Sequence, residues 1–123
     1  NLWEGPQAMS DATIFVVDEL VVPPGHGEAL LKEYLDSYGP GARARGFTLD
    51  RVLVNPPLWN DHAPNTITVS WIVQGAGPYW NTLFQSRNDA ALAQWWKDFS
   101  KKLISRRRTV HAAADDLKGL ANV

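Results

Sequence analysis

The sequence predicts an α+β domain: a four-stranded antiparallel sheet with helices on one face, in the split order strand, helix, strand, strand, helix, strand. Three observations predict it. Runs of β-branched or alternating apolar residues occur at 13–22, 47–54, 66–73 and, more weakly, 109–113. Between them lie two stretches of helical period, one near 27–38 and one, in two pieces, between 78 and 107. The chain has 123 residues and no internal repeat, which is the length of one domain with one core.

The first strand, TIFVVDELVV (13–22), ends at Pro23-Pro24-Gly25. Phe15, Val17 and Val21 share one face, and Ile14, Val16, Leu20 and Val22 share the other. A strand apolar on both sides is covered on both sides. In GEALLKEYLDSY (27–38), Leu30, Leu31, Tyr34, Leu35 and Tyr38 form one helical stripe, and Gly39-Pro40-Gly41 is expected to stop it. FTLDRVLV (47–54) and TITVSWIV (66–73) alternate as strands. The connection between them carries three prolines and is longer than a hairpin needs. Pro78 opens a helix with Tyr79, Trp80, Leu83 and Phe84 on one stripe. Asn88-Asp89 caps a second, expected to run from Ala90 to Arg107 with Leu92, Trp95, Trp96, Phe99 and Leu103 inward. Residues 1–8 precede Met9-Ser-Asp and read as an appended segment, which leaves a single domain over 9–123.

Composition narrows the function. Net charge is −1 with acids and bases interspersed, which argues against a nucleic-acid surface. There are no cysteines, so thiolate chemistry is excluded. No apolar run reaches the roughly 20 residues of a membrane-spanning helix, and the expected location is the cytoplasm. Six tryptophans are many for this length, and each can bury roughly 150–250 Å². They make either a heavy core or the wall of a pocket for something flat and apolar.

The order of elements and the segments VPPGHGEALLKEYLDSYGPGARARGFTLDRVLVNPP (22–57), NTITVSWIVQGAGPYW (65–80) and AQWWKDF (93–99) resemble the ferredoxin-like, dimeric α/β-barrel superfamily, including antibiotic-biosynthesis monooxygenase-type and NIPSNAP-like proteins. The resemblance covers roughly residues 12–113. It implies a homodimer formed through the bare sheet face and a small, flat, hydrophobic molecule held between sheet and helices. It also implies chemistry with neither metal nor organic cofactor. The histidine-ligated haem site of some members has no counterpart, because neither helical stripe contains a histidine.

No nucleophile elbow, zinc-protease motif or phosphate loop is present, and His26, His62 and His111 are scattered. The candidate ligand-binding residues are therefore Phe15, Trp71, Tyr79, Trp80 and Trp96, set against the plainer reading that these rings fill the core. Charged pairs interrupt two strands, Asp18-Glu19 and Asp50-Arg51. A carboxylate turned toward the helices serves as a base, and Asp50 is the candidate; an ordinary ion pair is the plainer alternative. His62, beside Asp61 in the long loop, is a second proton carrier, and Arg87 is a candidate clamp for negative charge. The expected function is a cofactor-independent enzyme acting on an apolar cyclic or polyketide-like molecule, as isomerase, cyclase, dehydratase or monooxygenase. The alternative is a non-catalytic dimer that binds such a molecule.

Overall fold

The computed structural model describes residues 12–117. Residues 1–8, read above as an appended segment, lie outside the described residues. The elements are β1 (Thr13–Val22), α1 (Gly27–Glu33), a π-helical stretch (Tyr34–Tyr38), α2 (Gly39–Ala44), β2 (Thr48–Asn55), β3 (Asn65–Gln74), α3 (Ala76–Arg87), α4 (Ala90–Ser100) and β4 (Ser105–Ala112), followed by a short 3₁₀ turn at Ala114–Leu117. The strands form one sheet in the order β2-β3-β1-β4, and every pairing is antiparallel. The expected split plan is the observed one.

Register fixes the two faces. Val16, Asp18, Leu20 and Val22 of β1 pair beside Trp71, Val69, Ile67 and Asn65 of β3, and all are buried beneath the helices. The alternate residues Phe15, Val17, Glu19 and Val21 turn to the open face, beside Thr66, Thr68, Ser70 and Ile72. Side chains alternate along a strand, so neighbours in sequence cannot share a pocket. Phe15 therefore stands on the opposite side of the sheet from Trp71, which corrects its placement in one aromatic pocket with that residue.

Two helix ends differ from the expectation. The first helix does not stop at Gly39-Pro40-Gly41 but continues to Ala44. A proline inside a regular helix lacks a donor and crowds the turn before it. Here the π-helical stretch directly before α2 widens the backbone, and Pro40 falls in the first turn of the new segment. The last helix stops at Ser100, not Arg107. The chain turns over Lys101–Ile104, the Ile104 amide donates to the Val21 carbonyl at 2.8 Å, and β4 then pairs along β1 from Ser105 to Ala112. Cross-strand pairing overrode the helical run of apolar residues, and the three arginines became strand residues.

The long β2–β3 connection is tied down rather than loose. The Asn65 side chain donates to the Leu58 carbonyl at 2.8 Å and accepts from the Asn60 amide at 3.0 Å. Trp59 packs against the start of α1, where a side chain at Gly27 would come within 2.8 Å of its ring. Any larger residue would force the Trp59 ring to shift.

Candidate functional site

The centre of the molecule is a ring cluster threaded by charge. Trp71, on β3, is fully buried and donates from Nε1 to the Tyr34 hydroxyl at 2.7 Å. That hydroxyl donates in turn to Asp18 Oδ2 at 2.7 Å. Asp18, itself fully buried, accepts a fork from Arg108 of β4: Nε to Oδ1 at 2.7 Å and Nη2 to Oδ2 at 2.8 Å. Arg108 Nη2 also donates to the Tyr38 hydroxyl at 2.8 Å. Burial first, and then the charge on Asp18, push the Tyr34 pKa up, so Tyr34 stays a protonated donor. Burial works against the charge on Arg108, but the hydrogen bonds and charge of Asp18 outweigh it and hold its pKa above the ordinary value. Asp18 thus accepts three hydrogen bonds, two of them from one guanidinium.

The adjacent tryptophans both reach Tyr34, Tyr38 and Phe99, in different geometries. Trp95 stacks on Phe99 with centroids 4.7 Å apart and planes at 12°, while Trp96 lies 5.1 Å from Tyr38. Arg106 covers the outer side of Trp96, its guanidinium 3.4 Å from the ring centre. Trp71 and Trp96 therefore belong to a close-packed core cluster.

A cavity of about 50 Å³ lies beside this cluster, between the sheet and α3. Its walls are Val16 and Val110 from the sheet, Phe47 at the entry to β2, and Tyr79, Thr82, Leu83 and Ser86 from α3. Arg108 supplies its charged wall. Thr82 is the one buried residue of α3, its hydroxyl 2.6 Å from the Arg45 carbonyl and 3.0 Å from that of Pro78.

Of the expected ligand-binding residues, Tyr79 alone lines this cavity. Trp80 is 62 % exposed and Phe84 67 % exposed, on the outside of α3. The expected stripe placed Trp80 and Phe84 inward. The helix instead seats Tyr79, Thr82, Leu83 and Ser86, a stripe turned by about one residue (about 100°) because the Thr82 hydroxyl needs the Arg45 carbonyl.

The three expected catalytic residues do not converge. Asp50 occupies an irregularity in the β2–β3 register and pairs with its neighbour Arg51 at 3.2 Å. His62 is exposed in the connection at the Val22 end of the sheet, away from the cavity. Arg87 is exposed in the last turn of α3. His111 sits opposite Phe15 on the open face. Sequence reasoning missed Arg108, Tyr34, Tyr38 and Thr82 as a set. One signal was present: Arg106 and Arg108 lie two apart, which is one face of a strand. Reading them as a helix end hid it. Among the described residues no group of three histidine, aspartate or glutamate side chains could hold a metal ion.

No family model and no curated protein matches the sequence. Solved structures do. A NIPSNAP family protein from Agrobacterium tumefaciens str. C58 superposes with a TM-score of 0.60 at 13% identity, covering 88% of this chain and 90% of its own. The chain is ferredoxin-like in fold. A dimeric ferredoxin-like protein from an uncultured marine organism matches at TM-score 0.55 and 6% identity, over 84% and 96% of the two chains. A candidate antibiotic biosynthesis monooxygenase from Bordetella bronchiseptica matches at 0.50 and 17%, over 81% and 95%. These structures share the fold that the resemblance implied. At such identities the likeness is one of fold, which leaves the ferredoxin-like chain's function to its own site. No helix among its described residues is long and apolar enough to cross a membrane.

Proposed function

We propose that this protein binds a small, flat, largely apolar molecule between its sheet and α3, as one half of a homodimer. The observation that carries the reading is the cavity beneath α3, apolar on most sides with one guanidinium set into its wall. At about 50 Å³ it accommodates little more than a water molecule, so a ligand enters as α3 moves outward. The helix is suited to that. It buries a single residue, starts at Gly75 in a left-handed conformation (φ 91°) and ends at an exposed Asn88. An element with so few buried contacts opens at low cost.

Thermal melting against a panel of aromatic and terpenoid compounds tests this reading, since a ligand that binds only the folded state raises its melting temperature. At least one compound is expected to raise it saturably, and Val110→Phe, which fills the cavity from the edge strand, should abolish the response. A panel without any effect ends the pocket reading.

Binding is favoured over catalysis because the carboxylate nearest the cavity, Asp18, is engaged by Arg108 and Tyr34. The cofactor-independent enzyme remains as a second reading on one observation: a guanidinium at the wall stabilises an enolate or phenolate as it forms. Loss of an α-deuterium label from a bound ketone would move the assignment from binder to catalyst.

The dimer rests on the open sheet face. Phe15, Val17, Val21 and Ile72 are half-buried in one protomer and Leu53 is 56 % exposed, among threonines short enough for two sheets to approach closely. Sedimentation is expected to give about twice the 13.7 kDa chain mass, and Val17→Glu should halve it. A monomer that keeps this face in water would remove the homodimer.

A further inference from the structure

Four arginines surround the ring cluster, and the described residues supply one buried carboxylate to match them. Asp18 is taken by Arg108. Arg43 lies 6.0 Å from the Trp71 ring, Arg45 lies 5.6 Å from the Tyr38 ring, and Arg106 covers Trp96. Among the described residues none of these three forms an ion pair with an acid.

Arg45 is the anomaly. Its Nε and Nη2 atoms are buried without a hydrogen-bond partner, the only such side-chain atoms among the described residues. Buried donors in folded proteins are nearly always bonded, and an unmatched charged donor is among the most costly groups to bury. The Tyr38 ring gives this guanidinium a cation–π contact but no acceptor for its N–H groups. The Arg45 backbone adjoins the cavity wall. Its carbonyl holds Thr82, and Phe47, two residues on, is a cavity wall. Arg108 lies 5.5 Å from the same ring and is itself part of the cavity wall. The Tyr38 hydroxyl accepts from Arg108 and has no acceptor for its own proton among the described residues. Two guanidinium groups and a spare hydroxyl donor thus gather at one ring.

We infer that the molecule held beneath α3 carries an oxyanion, the carboxylate of a planar ring acid, received between Arg45 and Arg108 against Tyr38. The inference rests on the binding reading above and names the chemical class of its ligand. A carboxylate supplies the acceptors that Arg45 Nε and Nη2 lack, in the planar fork geometry that guanidinium groups match. The ring of the acid then occupies the apolar part of the cavity. Arg106 fits the same picture from outside. Burial lowers its pKa first, Asp18 partly offsets this, and the charge of Arg108 lowers it again, so an added anion nearby relieves a crowded positive field.

The test is a calorimetric titration of the full chain with 2-naphthoate and with its neutral isostere 2-naphthamide. The acid is expected to bind at least about tenfold tighter, the ratio that one charge-assisted hydrogen bond supports. Arg45→Gln should bring the two affinities close together, and Tyr38→Phe, which keeps the ring, should narrow the gap. Arg45→Gln is expected to melt no lower than the parent, because the atoms it loses make no hydrogen bond. Equal binding of acid and amide overturns the oxyanion and leaves the pocket standing. A preference for the acid that survives Arg45→Gln overturns its placement. Binding of neither compound, together with a silent panel of neutral compounds, takes the pocket reading down as well.

Discussion

Arg108→Met is expected to destabilise the protein by about 3–5 kcal/mol, because it leaves the Asp18 carboxylate buried without its counter-charge. Asp18 has no exposed surface, and its remaining described donor is the Tyr34 hydroxyl. One hydrogen bond does not replace a bidentate guanidinium. For a domain of this length, the loss corresponds to a fall in melting temperature of roughly 10–20 °C. The reverse change should cost less. In Asp18→Asn the Arg108 side chain, 27 % exposed, can turn its head toward water, and the amide still offers Tyr34 an acceptor. The double variant Asp18→Leu/Arg108→Met is expected to recover much of the loss, since a buried pair removed together leaves no orphan charge. Denaturant unfolding of the four proteins checks this. An Arg108→Met variant within about 1 kcal/mol of the parent would mean that the fork is incidental to stability.

Trp71→Ala should cost a comparable amount, about 3–5 kcal/mol, by leaving a large void at the middle of the core. Trp71 is fully buried, within 6.4 Å of the Tyr34 and Phe47 ring centres, and meets Tyr38 edge-on at 5.9 Å. Its Nε1 also donates to Tyr34, so the substitution removes packing and a buried hydrogen bond together. Typical domain stability is about 5–15 kcal/mol, and the variant would keep only part of it. The midpoint in urea should fall with an unchanged slope. A midpoint that stays put would mean that the cluster collapses around the void, contrary to its close packing.

These two substitutions separate the legible from the illegible. Trp71 was visible as an inward strand residue, because Ile67, Val69, Trp71 and Val73 alternate with threonine and serine. Its partner was not. Trp71 was set among the walls of a ligand site, whereas the hydrogen bond to Tyr34, 37 residues earlier in the chain, makes it structural. Asp18 stood out as a charge within an apolar strand, and an ordinary ion pair was the plainer reading. The true partner is 90 residues away in a segment whose apolar spacing imitated the end of a helix. Tyr79 was expected inward on the stripe that follows Pro78, and it does line the cavity. Trp80 and Phe84 were misplaced because their stripe fits a helix as well as the true one does.

The sequence by itself determined the order of strands and helices, the two-faced character of β1, and the aromatic weight of the core. Those properties follow from periods of two and 3.6, which the backbone imposes on any chain and which neighbouring residues reveal. Only the tertiary structure decided which residues surround the cavity, which arginine neutralises Asp18, and which is left without a partner. Such facts depend on register: sliding β4 by one residue along β1 would turn Arg108 to the open face and put Arg107 or Thr109 in its place. No local pattern sets that register. It is fixed where the backbone of β4 meets β1 and where one buried carboxylate finds its guanidinium.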